Sequence, residues 1–265
     1  GTFDKLVIAH NGKCADRLMS KTPAKALHSL LRTNFSPTVP KNGGKRMTLN
    51  SIYSLAFAVK KKSDGGLSKV LPEHAYSVFI KNEPTLRFLS CNTRKHHNNN
   101  DDVEIWTLLS SATFAKKYKG PQENLPQDAI TEVTQLMLSG LETSLGLDTG
   151  SISVLESRLQ LWGAAVPLNT YAGGSSSGHN AEPPLGYVYD SRYGVGTCGD
   201  WLLHPSIEGA WESGRRLASW ISKEHKEDGG SSASSFSVGL PNRDGGHFHV
   251  SASALENGIG SFGSD

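Results

Sequence analysis

Residues 194–201 read GVGTCGDW, and residues 205–218 read PSIEGAWESGRRLA. The first segment is typical of a short strand that ends in a Gly-Asp turn. In the second segment Ser206 is a favourable N-cap, and apolar or small residues recur at helical spacing at Ile207, Ala210, Trp211, Gly214, Leu217, Ala218 and Ile221. We therefore predict a strand, a turn and a capped helix that packs through this face. The helix start would offer free N–H groups and a positive dipole end to an electron-rich ligand.

The rest of the chain predicts an α+β protein. An apolar run from Leu6 to Ala9, closed by His10-Asn11-Gly12, favours a parallel strand and a tight turn, followed by a helix. Segments rich in β-branched and aromatic residues predict an antiparallel sheet, at 49–59, 75–80, 86–91 and 103–108. Residues 111–118 and 127–145 predict helices, with Pro126 at the entry of the second, and residues 151–162 predict a further strand.

Composition excludes several classes of partner. The formal net charge is only +2, which gives no electrostatic footprint for nucleic acid. No apolar run approaches the roughly 20 residues that span a bilayer. Cys14, Cys91 and Cys198 lie far apart without metal-ligand spacing, so neither a zinc site nor a disulfide framework is indicated. We predict no bound metal, since His247 and His249 in the Gly/Ser-rich tail have no marked third ligand.

Four ordered blocks resemble the renalase-like branch of the FAD-dependent amine oxidases, in its plant and cyanobacterial form. They are the 194–218 region, FDKLVIAHNGKCA at 3–15, SCNTRK at 90–95 with WTL at 106–108, and LWGAAVP at 161–167. The first block is similar to that family's C-terminal FAD motif, and the second is similar to the last strand of its FAD domain. The resemblance covers roughly residues 3 to 222. Trp162, within the last block, is more typical of a core than of a cofactor wall.

The resemblance implies a set of cofactor-binding residues. Asp200, after Gly199, would hydrogen-bond a ribityl or phosphate-adjacent hydroxyl of FAD. The backbone N–H groups of Ile207 and Glu208 would face the N1/C2=O edge of the flavin, where they would stabilise the anionic reduced ring. His10, Asn11 and Gly12 would lie near the pyrophosphate, although a plain turn after a strand explains His10 at least as well. No catalytic residue is indicated.

The family's Gly-rich βαβ motif does not occur in these residues. We expect on the order of 100 to 150 further residues before Gly1, the usual size of such a domain, and hence weak or absent FAD binding by this chain alone. Leu6, Val7 and Ile8 would then expose apolar surface that those residues normally cover. The expected organisation is a last FAD-domain strand and turn at 1–15, an antiparallel-sheet substrate domain with flanking helices at 16–185, a returning FAD-domain strand and helix at 186–224, and a Gly/Ser-rich tail at 225–265. Pieces of a Rossmann-like FAD domain would thus bracket the substrate domain, and Phe3 to Ala9 and Val195 to Cys198 would lie in one small sheet.

The implied function, if the protein is a full-length enzyme, is hydride transfer from a reduced nicotinamide-like or amine substrate to FAD. The alternative is a catalytically silent, flavoenzyme-like subunit of a larger complex, with a protein partner that orders the tail. Family resemblance alone suggests a chloroplast or cytoplasmic location.

Overall fold

The computed structural model describes residues 2–35, 48–61, 66–72, 74–96, 102–172, 185–227 and 247–250. The protein is α+β with antiparallel sheets, as predicted. Its elements in chain order are β1 (Leu6–Ile8), α1 (Gly12–Met19), α2 (Lys25–Phe35), β2 (Leu49–Lys60), β3 (Ser77–Phe79), β4 (Leu86–Cys91), α3 (Asn92–Lys95), β5 (Val103–Ser110), α4 (Ala112–Lys117), α5 (Gln127–Leu145), β6 (Val154–Pro167), β7 (Asn169–Ala172), β8 (Tyr187–Asp190), β9 (Val195–Cys198), α6 (Ile207–Glu227) and β10 (His247–Val250). Two 3-10 turns lie at Gly66–Val70 and Asp200–Leu202.

The chain divides into two compact units. One combines Gly1–Leu49 with Val166–Asp265, and the other is Asn50–Ala165. The boundaries expected above, which were drawn by cofactor and substrate role, stay a prediction. None of the described helices is long and apolar enough to cross a bilayer.

The unit Asn50–Ala165 is built on a five-stranded sheet in the order β3-β4-β5-β2-β6. β4, β5 and β2 pair antiparallel, and α5 contributes Val133, Met137 and Leu141 to the core beneath them. α5 begins directly after Pro126, as predicted, and ends at Gly146 in the left-handed conformation that favours glycine. Alternating apolar residues of β2 and the helical spacing of α5 therefore build this core.

The segment Asn92–Lys95 is hydrogen-bonded to β5 and to the residues that precede β3. The Arg94 guanidinium donates to the carbonyls of Ser68, Pro72 and Ala75, at 2.8–2.9 Å. The amide of Asn92 donates to the hydroxyl of Thr107 at 2.8 Å. These hydrogen bonds fix the segment to strand β5 and to the residues that precede β3.

The other unit contains a three-stranded sheet in the order β1-β9-β8. β1 pairs parallel with β9, with Leu6 opposite Val195 and Ile8 opposite Thr197, although 189 positions separate the paired residues. The expectation that these two segments share one small sheet is confirmed. β8 is antiparallel to β9. Ile8 is buried, whereas Leu6 and Val7 are 44% and 45% exposed, so the predicted exposed apolar surface is right for Leu6 and Val7 and wrong for Ile8.

The predicted packing face of α6 is right at Leu217 and Ile221 and wrong at Ile207 and Trp211. Ile207 is 92% exposed and Trp211 is 66% exposed, while Gly209, Ser213 and Leu217 are buried. The reason is close approach to the sheet: a Cβ at Gly196 of β9 would lie 3.1 Å from the Leu217 side chain. Small and hydrogen-bonding residues fit this contact better than Ile207 or Trp211 would.

The same unit holds elements that periodicity did not predict. α2 packs with α1 around a buried group made of Ala15, Met19, Leu27, Leu30 and Leu31. β7 pairs antiparallel with β10, so a strand lies within the Gly/Ser-rich tail. The remainder of that tail, at 228–246 and 251–265, lies outside the described residues.

Candidate functional site

The parallel pairing of β1 and β9 brings two turns to one edge of the small sheet. β1 runs into His10-Asn11-Gly12, and β9 runs into Gly199-Asp200. A Cβ at Gly199 would lie 3.7 Å from the His10 carbonyl oxygen, so the two turns are in contact. The carboxyl ends of parallel strands are where open α/β sheets commonly bind ligands. This edge is therefore the candidate site.

The turn after β1 is largely committed to starting α1. The side chain of Asn11 is the N-cap and accepts a hydrogen bond from the Lys13 N–H at 2.9 Å. Gly12 is buried as the first residue of the helix, and His10 is exposed. Of the three predicted residues, the backbone of Gly12 and the His10 side chain stay candidates for ligand contact, while the Asn11 carboxamide already has a structural role.

The turn after β9 is fixed by a buried hydroxyl that sequence reasoning did not single out. The Gly199 N–H donates to Ser213 Oγ at 2.8 Å, and Ser213 Oγ donates to the Gly186 carbonyl. Ser213 thus ties α6 to the ends of β9 and β8. Glycine is required at 199, because a Cβ there would lie 2.9 Å from two ring atoms of Trp201. A serine in the interior of a helix carries no sequence signal for such a role.

Asp200 opens the 3-10 turn with a half-buried carboxyl group. Burial raises its pKa from 3.8 to about 6. Hydrogen bonds from the N–H groups of Trp201 and of Asp200 itself, together with the nearby His204, act in the opposite direction and are outweighed. A carboxyl of this pKa changes charge close to neutral pH, which is common at functional sites.

The start of α6 follows shortly after this turn. Ser206 Oγ accepts from the Gly209 N–H at 2.9 Å, which confirms Ser206 as the N-cap, and it lies 2.7 Å from His204 Nδ1. Gly209 is required here, because a Cβ would lie 2.0 Å from the His204 carbonyl oxygen. The N–H groups of Ile207 and Glu208 belong to the first turn, where a helix offers no internal acceptor. That they line one cleft with Asp200 and the His10 turn stays a prediction.

Other candidate chemistry is sparse among the described residues. No cluster of three or more His, Cys, Asp or Glu side chains is arranged to hold a metal ion in the part of the chain that is described. Trp162 is 54% exposed, so the interpretation as a core residue is wrong. Cys198 is buried in β9, and burial raises the pKa of its thiol, which disfavours the reactive thiolate.

No protein-family model matches this chain, and no curated protein is significantly similar to it. Solved structures that are similar to it include the following two. One is a protein assigned as a protoporphyrinogen oxidase from Exiguobacterium sp. 255-15, with 10% identity, a TM-score of 0.44 and 83% of this chain covered. The other is a reduced UDP-galactopyranose mutase, with 10% identity, a TM-score of 0.36 and 62% of this chain covered. The aligned part spans 41% and 30% of the length of those two chains. At these values the similarities establish neither a family nor an activity.

Proposed function

We propose that this chain forms the C-terminal side of the FAD site in a flavin-dependent oxidoreductase that accepts a hydride from a reduced nicotinamide-like or amine substrate. The observation that carries the proposal is the parallel pairing of β1 with β9 across most of the chain. It brings the Gly12 turn and the Gly199-Asp200 turn to one carboxyl edge, where a dinucleotide would lie in a Rossmann-like domain.

The residues at this edge fit such a group. A half-buried carboxyl with a pKa near 6 can accept a hydrogen bond from a sugar-like hydroxyl when charged and donate one when neutral. The first-turn N–H groups of Ile207 and Glu208, at the positive end of the α6 dipole, suit an electron-rich ring edge. Bound FAD would supply the N5 position that accepts a hydride. The role of the chain's own residues is to bind and orient, which is sufficient because hydride transfer depends on proximity and alignment.

Asp200 and a few backbone donors are not expected to hold FAD by themselves. Association costs about 4 to 15 kcal/mol in lost freedom, whereas a hydrogen bond to a charged group contributes about 1.5 to 3 kcal/mol. We therefore propose that a Gly-rich nucleotide-binding segment outside these 265 residues supplies most of the affinity.

A second candidate function is an assembly subunit without catalysis. Leu6 and Val7 of β1 and Ile207 and Trp211 of α6 are exposed apolar side chains. Exposed apolar surface of this kind favours a protein interface. Both candidate functions require another protein segment or a partner to cover this apolar surface. They differ in whether the protein binds flavin.

Flavin occupancy of the protein in its natural length separates the two candidates. We expect bound FAD in the wild type, and a loss of about tenfold in FAD affinity on Asp200→Ala, from one charge-assisted hydrogen bond. Asp148→Ala, which removes an exposed carboxyl in the other unit, is the matched control and should retain the flavin. Equal flavin content in both variants would remove Asp200 from the site, and a protein that never binds FAD would favour the assembly role.

A further inference from the structure

Among the described residues, strand β6 is one of the two edge strands of the five-stranded sheet, and β3 is the other. Four consecutive residues of β6, Leu155 to Arg158, are exposed, and the Leu155 side chain is 58% exposed. Further along, Leu161 is fully buried in the core. In the part of the chain that the structure describes, no strand pairs with the outer side of the first half of β6, and such an edge is a template for pairing with another chain.

The outward-facing backbone groups of β6 can be identified from its second half. Gln160 Nε2 donates to the Leu161 carbonyl at 3.2 Å, and Gln122 Oε1 accepts from the Gly163 N–H at 3.0 Å. Side chains therefore occupy the edge at Leu161 and Gly163. The Gly163 carbonyl accepts a hydrogen bond from Ser51 Oγ of β2, so Gly163 has contacts on both sides of the strand. We therefore use Leu161 as the reference residue for deciding which backbone groups point outward.

Both backbone groups of one residue in a strand point to the same edge, and they alternate along the chain. Counting back from Leu161 in steps of two, the N–H and C=O groups of Leu159, Ser157 and Leu155 point outward. The groups of Glu156 and Arg158 point towards β2. Ser157 is the middle residue of the three whose backbone faces the open edge.

Residues 155–159 read LESRL, a sequence that is complementary to itself when reversed. In an antiparallel pair of two copies centred on Ser157, Leu155 of one copy lies opposite Leu159 of the other. Glu156 of each copy lies opposite Arg158 of the other, so the pairing creates two opposite-charge pairs. Any register shifted by two residues would lose this match.

We propose that the first half of β6 pairs with a second copy of this chain, antiparallel and about a two-fold axis at Ser157, to give a homodimer with a continuous sheet. Leu155 with Leu159 and Ser157 with Ser157 form hydrogen-bonded pairs, with about six inter-chain backbone bonds in total. Glu156 and Arg158 form the non-hydrogen-bonded pairs, in which Cα atoms approach to about 4.5 Å and side chains meet most closely. Leu159 of one copy covers the exposed Leu155 of the other.

Charged residues on an edge strand are often a defence against pairing. Such a defence works when the charges of two copies repel, as a row of lysines does. Glu156 and Arg158 attract in the register that also aligns the leucines, which favours pairing. The strand pair is smaller than the roughly 800 Å² per partner of a standard interface, so the expected dimer is weak and depends on concentration.

Sedimentation velocity measures the monomer–dimer equilibrium of the full chain. Protein concentrations from about 1 to about 300 µM cover the range in which weak dimers form. The wild type should shift from monomer to dimer across this range. Glu156→Arg places arginine opposite Arg158 twice and should weaken the dimer about tenfold, and Arg158→Glu should do the same. The double variant E156R/R158E restores opposite charges and should recover the wild-type dissociation constant.

Proline at the axis gives an independent test. Ser157→Pro removes an outward N–H that the β2–β6 pairing does not use, so the monomer should fold while the dimer is lost. Ser157→Ala keeps the N–H and should dimerise as the wild type does. Circular dichroism checks that each variant is folded, and if the proline variant is not, the charge exchange still decides. A wild type that stays monomeric throughout, or a dimer unaffected by Glu156→Arg, overturns the proposal.

Discussion

Replacing Asp200 by asparagine should stabilise the protein, and the gain should depend on pH. Burial raises the pKa of Asp200 from 3.8 to about 6, so the folded state prefers the neutral carboxyl. The wild type has the full benefit of this preference below pH 3.8 and loses it as the pH rises through 6. The full rise corresponds to about 3 kcal/mol, and partial exposure of the side chain reduces the cost to about 2 kcal/mol. The asparagine side chain stays neutral at every pH and should escape this cost.

Denaturant unfolding followed by tryptophan fluorescence measures this difference from about pH 4 to about pH 8. Asp200→Asn should match the wild type near pH 4 and exceed it by about 2 kcal/mol near pH 8. Asp148→Asn, which changes an exposed carboxyl, controls for the general loss of one charge. A gain that is equal at both ends of the range, or a loss that grows with pH, would refute desolvation as the cause. A gain in stability combined with a loss of FAD would fit a residue kept for function.

Two further predictions concern the helix that follows the site. Gly209→Ala puts a Cβ 2.0 Å from the His204 carbonyl oxygen, so the melting temperature should fall by several degrees, consistent with a cost of about 1 to 3 kcal/mol. Gly214→Ala is the control: its Cβ meets its nearest neighbour at 4.0 Å, so the melting temperature should stay nearly unchanged or rise. Ser213→Ala leaves two backbone groups without their shared buried hydroxyl and should cost about 2 to 4 kcal/mol in the free energy of unfolding; Ser222→Ala, on the exposed side of the helix, should cost about 0.5 kcal/mol or less, and equal effects of the two would contradict the assigned role.

The regular elements of this fold were largely readable from the sequence. β2 alternates strictly enough to predict a half-buried strand, and α5 combines Pro126 at its start with apolar residues at helical spacing. The parallel pairing of β1 with β9 was different. An apolar run predicts β1 and the Gly-Asp turn marks the end of β9, but only the resemblance to a cofactor domain predicted that the two strands are neighbours.

The sequence did not predict the positions at which burial departs from the hydrophobic periodicity. Of the apolar set that predicted the packing face of α6, Leu217 is buried as expected, but Ile207 and Trp211 are exposed. Gly209 and Ser213, which are outside that set, are buried instead. The buried Ser213 hydroxyl is the hydrogen-bond partner of the Gly199 N–H and the Gly186 carbonyl. Hydrophobic periodicity does not indicate which buried backbone groups need a side-chain partner. Asp200 was identified by its motif, but its raised pKa depends on burial that only the three-dimensional structure shows.

The visible absorption spectrum of the protein purified from its natural source, in whatever length the cell makes it, tests the flavin proposal most directly. We expect the two bands of oxidised flavin at a stoichiometry close to one per chain, and bleaching of the longer-wavelength band when a dihydronicotinamide or amine substrate is added without oxygen. For the 265-residue chain alone, titration with FAD should show no submicromolar binding. A natural protein free of flavin, or submicromolar FAD binding by the isolated chain, would contradict the account.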